Sequence, residues 1–373
     1  MTSNKTPPKD LLTVVGARPQ FIKSAALTRA LSAAGLTQWL VHTGQHPDDH
    51  MGMDFLVELD VPPPDARISP SQQGRSLRLA DMIRGVAEQI EQVRPKAVLV
   101  YGDTDSTLAG ALAAHHAGVT LVHVEAGLRS GDRGMPEEHN RIVTDQLSDI
   151  LCTTGPTASE QLRIEGVVPQ RILEVGDVML DLALAAKATA LNRRIQGWPS
   201  GTAPVLVTTL HRPSTVDQPE LLQGALDALG LWGEATGGSV VFPIHPRTLK
   251  VIRAHGMTLP ARLINPGPLG YLDMQSALCN ADVVLTDSGG LQKEAWYQGT
   301  PAVILRDTTE WRELIQIGAS VLFDPAHLSS ASGRSNLVDR LCNAPSVPPV
   351  EGSGLFGEGQ AAKRLLSGLL DRI

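Results

Sequence analysis

Three stretches of this 373-residue chain carry residue types whose spacing can do chemistry. In Thr286-Asp287-Ser288-Gly289-Gly290 an apolar run ends at residues able to cap a helix, and two glycines open that helix. Backbone N–H groups at such a start, uncovered by side chains, form an anion site. Glu294 follows about one and a half turns further on, within reach of sugar hydroxyls beside a bound phosphate. An ordinary Ser-capped helix after a tight Gly turn has the same sequence, so this motif alone leaves both readings open. In GARPQFIK (16–23), Arg18 stands at the mouth of a helix and Lys23 about one turn inside it. A guanidinium can hold phosphate bidentately, and an ammonium can add charge or meet a carboxylate. A solvated basic pair on an exposed first turn is the alternative.

The third set is acidic. Asp103 and Asp105 follow the apolar run AVLVY, Glu125 closes LVHVE, and Glu137-Glu138 sit in a Gly/Pro loop with Arg133 and Arg141. If the two runs are neighbouring strands, Asp103 and Glu125 end at one place, and crowded carboxylates acquire raised and divergent proton affinities suited to acid/base work. Asp-Thr-Asp-Ser-Thr is also a strong helix start, and Asp105 is expected to serve as its cap. A strand-end Glu before Ala-Gly calls for a functional reason. His211 and His245 each end a strand and precede basic residues, whereas His115 and His116 are expected at the surface. No spacing resembles H-E-x-x-H, no His/Asp/Cys cluster demands a metal, and there is no Walker A sequence. The one G-x-G-x-x-A string, GEGQAA at 357–362, lacks a preceding strand and a downstream acid, so neither a dinucleotide nor any other cofactor is called for.

These residues need a scaffold, and the apolar pattern supplies one. Short β-branched runs (11–16, 97–102, 121–125) alternate with Ala/Leu-rich segments of helical period, the rhythm of a parallel sheet covered by helices. The rhythm restarts after a loose stretch at 191–204, with PVLVTTLH, SVVFPIH, VVLTDSGG and PAVIL. The expectation is an α/β protein of two Rossmann-like doubly wound domains facing a central cleft. Residues 1–182 form the first, completed by a C-terminal helix at 357–373, and 183–356 form the second. Ligands of open α/β sheets bind at the carboxyl ends of the strands.

Composition bounds the rest. A net charge of −7 gives no pull toward nucleic acid or an anionic membrane. Cys152, Cys279 and Cys342 are odd in number and widely spaced, which excludes a disulfide framework and suits a reducing cytoplasm. The polar start is not a signal peptide, and no run reaches the length of a membrane span. The residues by themselves describe a two-domain α/β enzyme acting on a phosphorylated or nucleotide-linked substrate.

GARPQFIK, HTGQH, YGDTDSTLAG, HVEAGLRS, MPEEHNR, TLHRP, TDSGGLQKEA and RDTTEW occur here in one order. That ordered set resembles the non-hydrolysing UDP-N-acetylglucosamine 2-epimerases over nearly the full chain. The resemblance implies the two-Rossmann-domain GT-B architecture and interconversion of UDP-GlcNAc and UDP-ManNAc without added NAD. It also implies elimination of UDP to a bound 2-acetamidoglucal and re-addition, with domain closure to exclude water, and a homodimer. By the same resemblance Asp103, Glu125 and Glu137 match the acidic catalytic positions, with Arg141 beside them and Lys23 as the catalytic-site lysine. His211 and Arg18 fall on the diphosphate side, Ser288, Gly289 and Gly290 on the diphosphate-binding helix start, and Glu294 on the ribose contact.

Departures accompany the match. Ala17 and Gln20 stand where many members have Thr and Glu. Pro47-Asp48-Asp49 replaces Arg-Glu-Met after the Thr-Gly-Gln-His run, which puts activation by a second substrate molecule in doubt. The H-R-x-E-N motif has become His211-Arg212-Pro213-Ser214-Thr215, and Trp311 replaces an Arg. HPRT (245–248), GYLDM (270–274) and TEW point toward the branch containing UDP-2,3-diacetamido-2,3-dideoxyglucuronate 2-epimerases. Three other readings compete: a GT-B glycosyltransferase, a non-catalytic nucleotide-sugar sensor, and a hydrolysing epimerase.

Overall fold

The computed structural model describes residues 7–45, 57–59, 61–71 and 74–373. Two compact units emerge, Met1–Leu182 with Gly354–Ile373, and Ala183–Ser353.

The first unit is built on seven parallel strands, β1 Leu11–Val15, β2 Gln38–His42, β3 Ala66–Arg67, β4 Ala97–Tyr101, β5 Thr120–Ala126, β6 Ile150–Thr153 and β7 Ile172–Glu174. Their spatial order is β3-β2-β1-β4-β5-β6-β7. LLTVV and AVLVY are buried along their whole length, as strands covered on both faces must be. Val14 and Val100 pack with Val86 and Ile90 of helix Gly74–Val93 and Ala111 of helix Asp105–Ala117. The winding direction reverses between β1 and β4, so the loops after these strands diverge and leave room for a ligand.

The C-terminal helix Ala361–Leu370 packs against helix Arg18–Ala33 of this unit. Asp181 accepts from the backbone N–H groups of Ala361 (2.9 Å) and Ala362 (2.7 Å), satisfying donors that a helix start leaves open.

The second unit repeats the scheme with six parallel strands, β8 Val205–Thr209, β9 Ser239–Val241, β10 Leu263–Ile264, β11 Val283–Thr286, β12 Ala302–Ile304 and β13 Ser320–Leu322. Their order is β10-β9-β8-β11-β12-β13, reversing between β8 and β11. Trp232 and Phe242 fill much of its core, among Leu206, Leu229 and Leu285. The three cysteines are free thiols. Among the described residues no helix is long and apolar enough to cross a membrane, and no group of three or more His, Cys, Asp or Glu is placed to hold a metal.

Candidate active site

In the first unit the expected neighbours meet. β4 and β5 pair directly, Tyr101 opposite Val124, so Asp103 and Glu125 emerge side by side at the same sheet end. Lys23 is not a solvated surface cation. It is buried on helix Arg18–Ala33, and its Nζ donates to Glu125 Oε1 at 2.6 Å. Asp103 accepts from Nη2 of Arg141, a buried residue of helix Pro136–Leu147, and Nη1 of the same guanidinium donates to Glu138 at 3.0 Å. Each of the two adjacent carboxylates therefore lies against a buried cation, and Arg141 is shared with Glu138.

Their environments differ. Burial pushes the Asp103 carboxyl up; Arg141 and Lys23 oppose that, Glu125 and Glu137 reinforce it, and the balance remains upward. Glu138 moves the other way. Burial would raise it, but the N–H groups of Ser130 and Gly131 (each 3.0 Å), the Ser130 hydroxyl and Arg141 outweigh burial and hold it low. The ionised Glu138 in turn holds the Arg141 guanidinium that faces Asp103. Glu137, on the first turn of its helix, is exposed, and Arg18 is half-buried at the head of its own.

Glu125 breaks a backbone rule. Its φ is +73°, and the β5–β6 register slips between Val124 and Ala126, so the residue is a bulge in left-handed conformation. Non-glycine residues avoid that region, and bulges that re-aim a side chain recur beside active sites. Gly102, before Asp103, has φ +63°, and a Cβ there would lie 3.2 Å from Lys23 Nζ and 3.5 Å from Glu125 Oε1. A side chain at 102 would intrude on the ion pair.

One expectation needs correcting. Thr104, not Asp105, caps helix Asp105–Ala117: Thr104 has extended dihedrals, and its hydroxyl accepts from the Thr107 N–H at 3.3 Å. Asp105 is the first helical residue and is occupied by Arg75 (2.5–3.1 Å) and Asn140 (3.0 Å). His115 and His116 are exposed in the last turn, as expected.

Sequence reasoning missed Gln20 as a structural hub and treated it only as a departure from Glu. Its amide oxygen accepts from the N–H groups of Gly16 (2.8 Å) and Ala17 (3.1 Å), and its amide nitrogen donates to Tyr101 O (2.9 Å) and Thr107 Oγ1 (2.9 Å). It thus ties the end of β1 to the end of β4. A carboxylate could not donate to the Tyr101 carbonyl. Also missed were His123 and Asp145, both fully buried behind Glu125; only a buried-polar pattern within LVHVE hinted at them.

The second unit gathers the other expected residues. Asp287 accepts from the backbone N–H groups of His211 (2.9 Å) and Arg212 (2.8 Å), and His211 Nδ1 lies 3.0 Å from the same carboxylate, which orients the imidazole. Ser288 caps helix Gly289–Gln298, its Oγ accepting from the Leu291 N–H at 3.3 Å, and Gly289 and Gly290 open the helix. A Cβ on Gly289 would lie 2.4 Å from Glu310 Oε1 and 3.7 Å from an Arg212 nitrogen. The helix start thus already has a carboxylate against it. Burial disfavours the Glu310 charge, but Arg306, its own backbone N–H and Arg212 outweigh burial and hold it ionised. Glu294 is buried and accepts from Gln275 Nε2 at 3.1 Å.

Among the departures, Trp311 is buried with Lys293 Nζ 3.7 Å from its ring centroid, and Pro213–Val216 forms a single helical turn. Pro47-Asp48-Asp49 lies outside the described residues.

The first unit thus carries a strand-end pair of carboxylates against buried cations, and the second a glycine-opened helix start beside an oriented histidine. The family model for UDP-N-acetylglucosamine 2-epimerase matches residues 29–370. The chain belongs to the UDP-N-acetylglucosamine 2-epimerase family.

Within this family it is 40% identical over 363 residues to the UDP-2,3-diacetamido-2,3-dideoxy-D-glucuronate 2-epimerase of Pseudomonas aeruginosa, covering 95% of this chain and 98% of that protein. The fold superposes with TM-score 0.84 on the Methanocaldococcus jannaschii UDP-GlcNAc 2-epimerase crystallised with UDP-GlcNAc and UDP, at 29% identity, covering 98% of this chain and all (100%) of the other. The Neisseria meningitidis enzyme bound to UDP-GlcNAc is similar at TM-score 0.84 and 25% identity, covering 98% of this chain and 100% of its own. The fold is the α/β, GT-B type of these epimerases.

Proposed function

We propose that this epimerase inverts C2 of a UDP-linked N-acetylhexosamine without net hydrolysis, UDP-GlcNAc to UDP-ManNAc. The observation that carries the reading is the pair of adjacent carboxylates, Asp103 and Glu125, each lying against a buried cation. A C2 hydrogen with no neighbouring carbonyl is far too weakly acidic for simple abstraction. The step becomes accessible when the C1–O bond breaks together with the C2–H bond. The C–H electron pair then forms the C1=C2 bond of a 2-acetamidoglucal, the C1–O pair leaves on the UDP β-phosphate, and a carboxylate takes the proton. Re-addition of UDP at C1 with a proton delivered to the opposite face of C2 completes the inversion, so two acid/base groups are required.

Charge developing on the leaving diphosphate is assigned to Arg18, His211 and the Ser288-Gly289-Gly290 helix start, with Glu294 on the ribose. Asp103, Glu125, Glu137, Arg141 and Lys23 are assigned to the sugar. The protein is proposed to act as a homodimer in the cytoplasm. A second reading has the same reaction on UDP-2,3-diacetamido-2,3-dideoxyglucuronate, and the Pseudomonas aeruginosa relative favours it.

Incubation with each UDP-sugar in deuterated water, followed at C2 by proton NMR, tests both. Deuterium entering UDP-GlcNAc and UDP-ManNAc with UDP still attached supports the first substrate. Inertness there with exchange in the diacetamido-uronate moves the assignment to the second. Free ManNAc, or turnover that needs a glycosyl acceptor, refutes the reaction proposed. Glu125→Gln should abolish exchange while leaving UDP binding within about threefold, a change of roughly 0.6 kcal/mol.

A further inference from the structure

We propose that His123 and Asp145 are positioning residues that hold Glu125 and Asp103 in their working geometry, an assignment that rests on the epimerase reading above. Both are fully buried and neither lies among the acid/base groups themselves. His123 Nε2 is 2.7 Å from Gly102 O, and its Nδ1 is 2.7 Å from Asp145 Oδ1. A carbonyl oxygen can only accept, so Nε2 carries a hydrogen. Asp145 is held ionised: burial opposes its charge, but His123 and Arg129 outweigh burial. The other ring nitrogen, Nδ1, is hydrogen-bonded to that carboxylate, so both edges of the ring are held.

These contacts fall on the two segments that carry the proposed acid/base pair. The Asp145 carboxylate takes His123, two residues before Glu125, and also the N–H of Gly127 (3.2 Å), two residues after it. Both flanks of the left-handed bulge are thus fastened to one carboxylate. Arg129 Nη1, 2.7 Å from Asp145 Oδ2, adds a third point on the same segment and is itself anchored to Glu165 at 2.6–2.8 Å. On the other side of the ring, Gly102 is the residue immediately before Asp103, and its own N–H donates to Val124 O at 3.0 Å, immediately before Glu125. One imidazole links the turn presenting Asp103 to the bulge presenting Glu125. A strained residue persists only where its surroundings over-determine it, and this bracket does so.

The test starts from wild-type solvent exchange at C2 as above. It then compares His123→Phe, which keeps a ring and loses both hydrogen bonds, with His123→Gln, which keeps a donor for Gly102 O. Turnover is expressed per UDP-binding site, counted by calorimetry. Misplacement by about 1 Å can cost roughly 100-fold, so kcat should fall about 100-fold in the Phe variant and about 10-fold in the Gln variant, with KM and UDP affinity within about threefold. A residue serving stability alone would lower Tm and yield yet leave kcat per site near wild type, and that result overturns the proposal. Should neither variant fold, wild-type enzyme labelled with 15N-histidine decides. A solvent-protected Nε2–H proton on His123 supports the bracket, and a freely exchanging or absent one overturns it. Absence of wild-type exchange on either sugar would instead sink the epimerase reading and this role with it.

Discussion

Replacing Arg141 by Met removes the cation from Asp103 while keeping much of the side chain's volume. In the intact protein, burial with Glu125 and Glu137 drives the Asp103 proton affinity up, and Arg141 is the foremost of the two cations opposing it. A cation in hydrogen-bonding contact lowers a carboxyl pKa, so its deletion lets the Asp103 proton affinity rise further. Asp103 keeps 27% of its side-chain exposure, and Lys23 remains, so solvent and one cation still temper the rise. At a fixed pH on the acid limb the variant should therefore lose about tenfold in kcat/KM, or roughly 1.4 kcal/mol. The sign follows directly. A higher proton affinity keeps Asp103 protonated to higher pH, and both limbs of a bell-shaped kcat/KM profile, which belong to the coupled carboxyls jointly, move alkaline. The measurement is kcat/KM for C2 exchange across about pH 5–10, a window above the ordinary carboxyl range of about 4 and below that of lysine at about 10.4, so a raised carboxyl titrates inside it. Glu138 keeps its Ser130 and Gly131 donors, so the fold should survive, as a thermal melt would confirm. Arg141→Lys should recover most of the shift by restoring charge. A Met variant whose profile superimposes on wild type after scaling would refute the assignment of Asp103 as a titrating partner in the reaction.

Gly289→Ala should weaken UDP binding by at least about tenfold, or roughly 1.4 kcal/mol, measured by calorimetry, because a Cβ there meets Glu310 Oε1 at 2.4 Å and covers the helix start. Acid stability supplies another check through Glu138 and Asp145, whose folded proton affinities are both lowered. Such groups contribute stability above their unfolded pKa values of about 4, lost as pH falls through the lower folded values, so Tm should drop steeply below about pH 4. Glu138→Gln should flatten that drop; an unchanged slope counts against the linkage.

The parallel-sheet rhythm and both strand-end positions were legible because they depend on local pattern. A β-branched run bounded by glycine declares a buried strand, and Ser-Gly-Gly after such a run declares a helix start. The doubled rhythm pointed to two α/β units for the same reason. Capping was less legible: Thr104 and Asp105 are both good cap residues, and the choice turned on Arg75, thirty positions away in sequence, which claims the Asp105 carboxylate. The Lys23 pairing was hidden for a similar reason, since its partner Glu125 lies 102 residues on. Gln20 was invisible as a hub because its partners, Gly16, Ala17, Tyr101 and Thr107, come from three separate elements.

Glu125 shows why the readable and unreadable parts belong together. Its position alone marked it as odd, a charged residue closing an apolar strand before Ala-Gly. A strand that simply continued would direct its side chain by the alternating period of two. The bulge replaces that period with a left-handed turn of the backbone and carries the carboxylate to Lys23 and to the side of Asp103. Strain of this kind, of order 1–3 kcal/mol, needs fixed neighbours to persist. The neighbours are the buried polar groups His123, Asp145 and Gly127, which periodicity would have counted as ordinary strand and helix positions. The net charge of −7 is therefore a poor guide to the site. What matters is that each carboxylate at the ends of β4 and β5 lies against a buried cation, and that the backbone behind them is locked by the buried hydrogen bonds of His123 and Asp145.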